Sequence, residues 1–275
     1  MKMANPNMTV YALAGLMTVL TSGYLASAQE APSAEELAKK LANPVAALIS
    51  VPVQGNYDGD IGPADKGEKW TLNIQPVVPI SLNENWNLIS RTIVPLVDQK
   101  DIISGAGSQS GIGDILQTLF VSPVAPTASG WIWGVGPALL FPTGSDDLLT
   151  GDKWAAGPSF VVLKQDGPWT YGALLNHIWS YAGEDDRNEI SASFLQPFAT
   201  YTTPNAVSIT LQTETTYDWK SEQWSVPVFG VVSKVFNVGG QLVSLGAGVK
   251  YYADSTDAGA EGWGGRLTAT LLFPK

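Results

Sequence analysis

The chain has no cysteine and a single histidine among its 275 residues. The first absence excludes thiolate zinc sites and thiol catalysis, and it suits an exported protein whose stability does not depend on disulfides. The second leaves His177 as the sole imidazole for acid–base work. Basic residues are also scarce, 15 Lys and Arg against 25 Asp and Glu, for a net charge of −10. Nucleic acid is therefore not an expected partner, because phosphate binding needs a basic face. No stretch after residue 30 approaches the roughly 20 apolar residues of a spanning helix, and mean hydropathy is only +0.07.

What the chain does have, after Glu68, is a succession of alternating segments of about ten residues, separated by turns that are short, then long, then short. That pattern predicts an all-β fold, a transmembrane antiparallel β-barrel of about twelve strands over 49–275. Its near-neutral hydropathy follows, since half of each strand faces lipid and half the lumen. The expected strands lie near 49–56, 69–82, 86–97, 112–121, 131–142, 155–164, 169–181, 190–201, 206–217, 223–235, 241–253 and 263–273. Tight connections such as Asn83-Glu84-Asn85 and Asn237-Val238-Gly239-Gly240 alternate with larger loops such as Tyr57 to Glu68 and Thr143 to Trp154.

Period-two faces support this reading. Val207, Ile209 and Leu211 oppose Ser208, Thr210, Gln212, Glu214 and Thr216, and Leu267, Ala269, Leu271 and Phe273 oppose Arg266, Thr268 and Thr270. All ten tryptophans fall at or near expected strand ends: Trp70, Trp86, Trp131, Trp133, Trp154, Trp169, Trp179, Trp219, Trp224 and Trp263. Indole prefers the headgroup level, so Trp70, Trp86, Trp131, Trp169, Trp179, Trp219, Trp224 and Trp263 are the expected aromatic girdle. Four prolines, Pro137, Pro158, Pro197 and Pro227, fall inside strands, where a closed barrel has no edge to excuse a missing N–H; Gly136-Pro137 and Gly157-Pro158 fit either paired bulges or a non-hydrogen-bonded kink near the rim.

At the N-terminus, Lys2 precedes an apolar run from Val10 to Leu20 and then Ala26-Ser27-Ala28, the small-x-small pattern of a signal peptidase site. Residues 1–28 are expected to be a signal peptide, and an uncleaved anchor is disfavoured by the shortness of the run. Residues 29–48 form an N-terminal periplasmic segment. Ser33 and Glu36 fit a capping box, and Leu37, Leu41, Val45 and Leu48 recur at roughly helical spacing. The segment is either a short helix plugging the barrel or a loosely ordered arm; the arm is the expectation, since termini are often unpinned.

Eighteen of the 25 acids fall in or beside the long loops, Asp58, Asp98, Asp185, Asp186 and Glu189 among them, so the negative charge belongs mostly to one rim. Solubility of exposed loops is the plain reason; repelling anionic solutes, or binding divalent cations that bridge lipopolysaccharide, are the alternatives. Asp146, Asp147 and Asp152 offer at most a weak calcium site, and no metal or cofactor is expected. Within the strands, Arg91, Lys164, Glu214, Lys234, Lys250 and Arg266 should point inward, because a basic residue facing lipid near the midplane costs about 2–4 kcal/mol. With Asp114 they would line a pore or lock it through ion pairs. The face of Arg91 also carries Ile89 and Ile93, which makes its direction ambiguous.

The runs Ile49-Ser50-Val51-Pro52-Val53-Gln54, Asn73-Ile74-Gln75-Pro76-Val77-Val78-Pro79, Trp86-Asn87-Leu88-Ile89-Ser90-Arg91-Thr92, Gly111-Ile112-Gly113-Asp114 and Thr216-Tyr217-Asp218-Trp219 carry a resemblance across essentially the whole mature chain. It resembles the outer-membrane barrels grouped under the MetA-pathway of phenol degradation. The resemblance implies a transporter in the cell outer membrane, with uptake of aromatic or other small compounds; its functional residues are not defined by that resemblance. The expected partners are outer-membrane lipids, lipopolysaccharide, a small-molecule solute and the barrel assembly machinery. An enzyme is not expected. A barrel phospholipase would place a serine soon after the histidine in a glycine-bearing motif, whereas Ile178 and Trp179 precede Ser180 and no Gly-x-Ser-x-Gly exists. Two readings remain, a passive channel for small solutes and a closed structural or adhesive barrel whose loops do the work.

Overall fold

The computed structural model describes residues 32–103 and 105–274; the signal-peptide reading of 1–28 lies outside them. Twelve antiparallel strands close on themselves. They are β1 Ile49–Ile61, β2 Gly67–Ile74 continued by Val77–Ser81, β3 Trp86–Lys100, β4 Ser108–Ile112 with Ile115–Pro123, β5 Trp131–Phe141 and β6 Lys153–Asp166. The second half is β7 Trp169–Gly183, β8 Ser191–Thr202, β9 Val207–Thr213 with Thr215–Asp218, β10 Gln223–Ser225 with Pro227–Val238, β11 Gln241–Tyr252 and β12 Trp263–Phe273. Each strand pairs with its neighbours in sequence, and β12 returns to β1 through Ile49 opposite Phe273 and Tyr57 opposite Gly265. Closure leaves no edge strand, so each strand has a hydrogen-bonding neighbour on both sides.

The alternation places the two faces as the sequence predicts. Leu211 and Leu267 are 62 % and 66 % exposed on the outside, whereas Ser208, Ser244 and Thr270 are buried inside. The tryptophans stand near strand ends, several against another aromatic: Trp86 on Trp133 and Trp169 on Tyr201 towards the short turns, Trp70 on Tyr57 and Trp263 on Tyr251 towards the long loops.

Strand β4 changes parity part-way along its length. Gln109, Gly111 and Gly113 lie on the inner face of the first part of β4, but Leu116, Thr118 and Phe120 on that of the second. The register confirms one extra residue, with Leu96 opposite Ile112 but Ile93 opposite Leu116. This is a β-bulge at Gly113-Asp114, and it returns the apolar set to the correct face.

The prolines in β5 and β6 are not bulges. Pro137 and Pro158 face each other directly, and the β5–β6 ladder runs through the pair without a shift. Pairing lapses instead on the far side of each, opposite Leu119-Phe120 and His177-Ile178, and resumes in the same register. A Cβ at Gly136 or Gly157 would collide with the carbonyl oxygen of Leu119 or His177, so Gly-Pro is the dipeptide that fits there.

The N-terminal segment is packed rather than loose. Helix α1, Ala34–Leu41, carries the capping box, Ser33 accepting from the Glu36 N–H and Glu36 from the Ser33 N–H, an arrangement worth about 1 kcal/mol. It lies inside the barrel at the short-turn end. Leu37 and Ala38 are buried with Leu48, Ala206, Val235 and Leu272, and Gln165 Nε2 donates to the Lys39 carbonyl at 2.9 Å. Burying Leu37 contributes about 1.5–3 kcal/mol, which offsets the backbone ordering of one or two residues. Beyond the helix, Val45 crosses to the opposite wall and packs on Ile89, Phe120, Val161, Leu163 and Leu174. A Cβ at Gly134 would sit 3.2 Å from Val45 Cγ1, so glycine makes room for this crossing.

Candidate functional site

The lumen has two unlike walls. Strands β3 to β8 present Ile93, Leu116, Leu140, Leu174, Ile178 and Phe194 to a cavity of about 300 Å³ at mid-barrel. Gln54, Asn73, Gln75, Asn176, Gln196 and Thr216 also line it, together with Arg91 and Glu214. The direction of Arg91 is thereby settled, and Ile89 and Ile93 share its inward face: Ile89 is buried under Val45 and Ile93 lines the cavity. Arg91 Nη2 donates to Gln75 Oε1 at 2.8 Å, and Gln75 Nε2 to Gln54 Oε1 at 3.0 Å.

The wall of β9 to β12 and β1 is ionic. Arg266, 5 % exposed, grips Glu214 through Nη1 and Nη2 at 2.6 and 2.8 Å, while its Nε donates to Asn56 Oδ1 at 2.7 Å. The guanidinium lies 3.9 Å from the centroid of the buried Phe229 ring. Nearer the loops, Lys250 pairs with Asp58 at 2.5 Å, and Tyr252 donates to the same carboxylate at 2.6 Å. Two-point contact of this kind fixes both partners and neutralises the charge of each.

The sequence reading of the charges needs three corrections. Lys234 does not line the lumen. Inward Ser233 and Val235 flank it, it shares the outer face with Val232 and Phe236, and its ammonium lies 5.6 Å from the Phe236 ring centroid. Lys164, opposite Trp131 and Tyr171, is likewise outward, between inward Leu163 and Gln165. Both stand near the short turns, where a cation on the lipid side costs only about 0–1 kcal/mol because it reaches the headgroups. Asp58 is no rim acid: β1 extends beyond it and turns its side chain inward to Lys250. Lys69, opposite Asp58 on the inner face of β2, is a further inward cation; it stands at the first position of the expected strand 69–82.

Asp114 acts at the bulge. Its Oδ1 accepts from the N–H groups of Thr143 and Gly144, both at 3.1 Å, and its Oδ2 from that of Gly151 at 2.8 Å. The long loop between β5 and β6 is thus tied down to β4. Arg187 pins it from the other side, bonding the carbonyls of Asp147 and Thr150 and pairing with Asp152 at 3.2 Å. Among the described residues no three His, Asp or Glu side chains converge to hold a metal.

His177 faces outward, and the β7–β8 register brings Ser193 opposite it, with Nδ1 and Oγ 2.7 Å apart. Trp219 Nε1 donates to the same Oγ at 2.9 Å, and the Trp179 ring lies tilted against the imidazole with centroids 4.1 Å apart. A serine nucleophile needs a base oriented by an acceptor on its second nitrogen, but among the described residues Nε2 has no partner. The contact is a cross-strand pair that sequence spacing could not reveal.

Four cavities share walls along the barrel. A cavity of about 390 Å³ beneath the long loops, bounded by Arg187, Ile190 and Ser191, meets the mid-barrel chamber at Ala192 and Thr216. That chamber meets a space of about 170 Å³ beside α1 at Gln75, Arg91 and Gln196, and Gln196 also borders one of about 220 Å³ on the other side of the helix.

The profile of the family described as "Putative MetA-pathway of phenol degradation" matches residues 63–267. The chain belongs to that family. Among solved structures, the COG4313 outer membrane channel from Pseudomonas putida F1 is similar with a TM-score of 0.66 at 14% identity, over 82% of this chain and 96% of that one. The NanC porin is similar with a TM-score of 0.51 at 10% identity, over 82% of this chain and all of its own. At such identities the likeness is one of fold, and it makes this family member an outer-membrane type of barrel. A search of curated proteins finds no significant match.

Proposed function

We propose that this chain is an outer-membrane channel for passive entry of small solutes, with its short turns and α1 on the periplasmic side. The supporting observation is the row of cavities from the long loops to the helix, neighbours in which share Ala192 and Thr216, and then Gln75, Arg91 and Gln196, as lining residues. In this reading Arg91, Glu214, Lys250 and Arg266 line the path. The strand-end tryptophans mark the two headgroup levels, outer-membrane lipids and lipopolysaccharide surround the barrel, and the chain has no catalytic role. Residues 1–28 are removed on export. The family's association with phenol degradation and the apolar wall together favour aromatic or other small apolar compounds as the solute.

The packing of α1 favours a second reading, a closed barrel without conductance. Single-channel recording of the refolded mature protein in planar bilayers decides between them. The channel reading expects small steps that grow when residues 29–42 are deleted. Silence in both forms overturns it.

A further inference from the structure

The two carboxylates nearest the mid-lumen are already engaged, Glu214 by both terminal nitrogens of Arg266 and Asp58 by Lys250 and Tyr252. Glu214 Oε1 also accepts from Gln212 Nε2 at 2.8 Å. Arg91 has no such partner. Among the described residues no carboxylate lies within 4.0 Å of its guanidinium, and its one hydrogen bond goes to the neutral Gln75. Glu214 lines the same chamber but is held by Arg266, so Arg91 is a partly buried cation with no carboxylate of its own, and the remaining donors of its guanidinium suit the two oxygens of a carboxylate. Beside it is a chamber of about 300 Å³ whose other wall, Leu116, Leu140, Leu174, Ile178 and Phe194, offers no charge.

We propose that this chamber binds a small monoanion with a compact apolar body, its carboxylate on the free edge of Arg91 and its body against Leu116, Leu140, Leu174 and Phe194. The site lies between the cavity beneath the loops and the space beside α1, both of which share its walls. Glu214 does not repel such a ligand, because Arg266 neutralises it through two contacts. The inference rests on the channel reading for its purpose but not for its chemistry.

The test uses the refolded mature protein in detergent, titrated calorimetrically with sodium benzoate and with benzamide, its uncharged counterpart. Benzoate is expected to bind at least about tenfold more tightly, a difference of about 1.4 kcal/mol. Arg91→Gln should bring benzoate down to the level of benzamide, whereas Arg91→Lys should keep a reduced preference; heat-modifiable gel mobility verifies folding of each. Equal affinity for the two probes on the unaltered protein overturns the proposal whether or not a variant folds. So does undiminished benzoate binding by folded Arg91→Gln. Bilayer recording separates the two readings: silence with Arg91-dependent benzoate binding removes the channel and keeps the site, and conductance without such binding does the reverse.

Discussion

The wall of β3 to β8 and the wall of β9 to β12 with β1 fill the same bore by different means. On the first, Ile89, Phe120, Val161, Leu163 and Leu174 close around Val45 as an ordinary apolar core. On the second, Arg266, Glu214, Asn56, Lys250, Asp58 and Tyr252 satisfy one another across neighbouring strands. A core of the first kind gains stability from dry packing; a network of the second kind gains fixed geometry, since desolvation consumes most of what its ion pairs contribute. The contrast also isolates Arg91, a cation on the apolar side with no carboxylate of its own. Its position there is what a passing or bound anion would exploit.

The largest effect should come from the apolar wall. Phe120 is fully buried between the crossing segment and the strands behind it. Phe120→Ala is expected to cost about 3–5 kcal/mol in urea unfolding of the refolded protein in liposomes. A loss below about 1 kcal/mol would mean that this wall is loosely filled and that Val45 does not bear on it.

A smaller effect tests which face is which on the ionic side. Leu211 points outward and Gln212 inward, where its amide reaches Glu214. Leu211→Arg should destabilise the barrel by about 2–4 kcal/mol at mid-membrane, while Gln212→Arg should be tolerated. Equal assembly of the two variants, read from heat-modifiable mobility, would show that the β9 register is wrong. Within the ionic wall, Glu214→Gln leaves Arg266 without a counter-charge. Because the Glu214 side chain is one quarter exposed to the lumen, the expected cost is about 2 kcal/mol, below that of a fully buried pair. The same variant should move the reversal potential of any conductance towards anions, since a negative charge has left the path.

The twelve strands and their faces were legible because a period of two survives any tertiary context in which one side is lipid. Lys234 was legible too: Val232, Lys234 and Phe236 share a parity, and the argument that basic residues avoid lipid overrode it without allowing for a place near the headgroups. The packed helix was half legible. Its cap and apolar spacing were written in Ser33, Glu36, Leu37 and Leu41, but that they fit a pocket formed by Ala206, Val235 and Leu272 depends on closure of strands far apart in sequence. The Asp114 tether and the His177–Ser193 contact were hidden for the same reason. One depends on a bulge, the other on a cross-strand register, and neither leaves a spacing that a single strand displays.

The smallest expected effect contrasts the rim with the lumen. Lys220 Nζ meets Glu189 Oε2 at 2.6 Å between two long loops, and the hydrogen bond and charge of Lys220 hold the Glu189 carboxyl below its usual range. A depressed carboxylate contributes stability that is present above the unfolded pKa of about 4.3 and lost as pH falls through the lower folded value. Any contribution of this pair is therefore complete at neutral pH and disappears only in acid below about 4. Both side chains are well exposed, so salt and side-chain entropy remove most of the benefit. Glu189→Gln should leave the urea midpoint at pH 7 unchanged within error, where Glu214→Gln lowers it. If Glu189→Gln proved as damaging as Glu214→Gln, the loops would hold the barrel as firmly as its interior does, and the lumen network would lose its claim to be the distinctive ionic element of the fold.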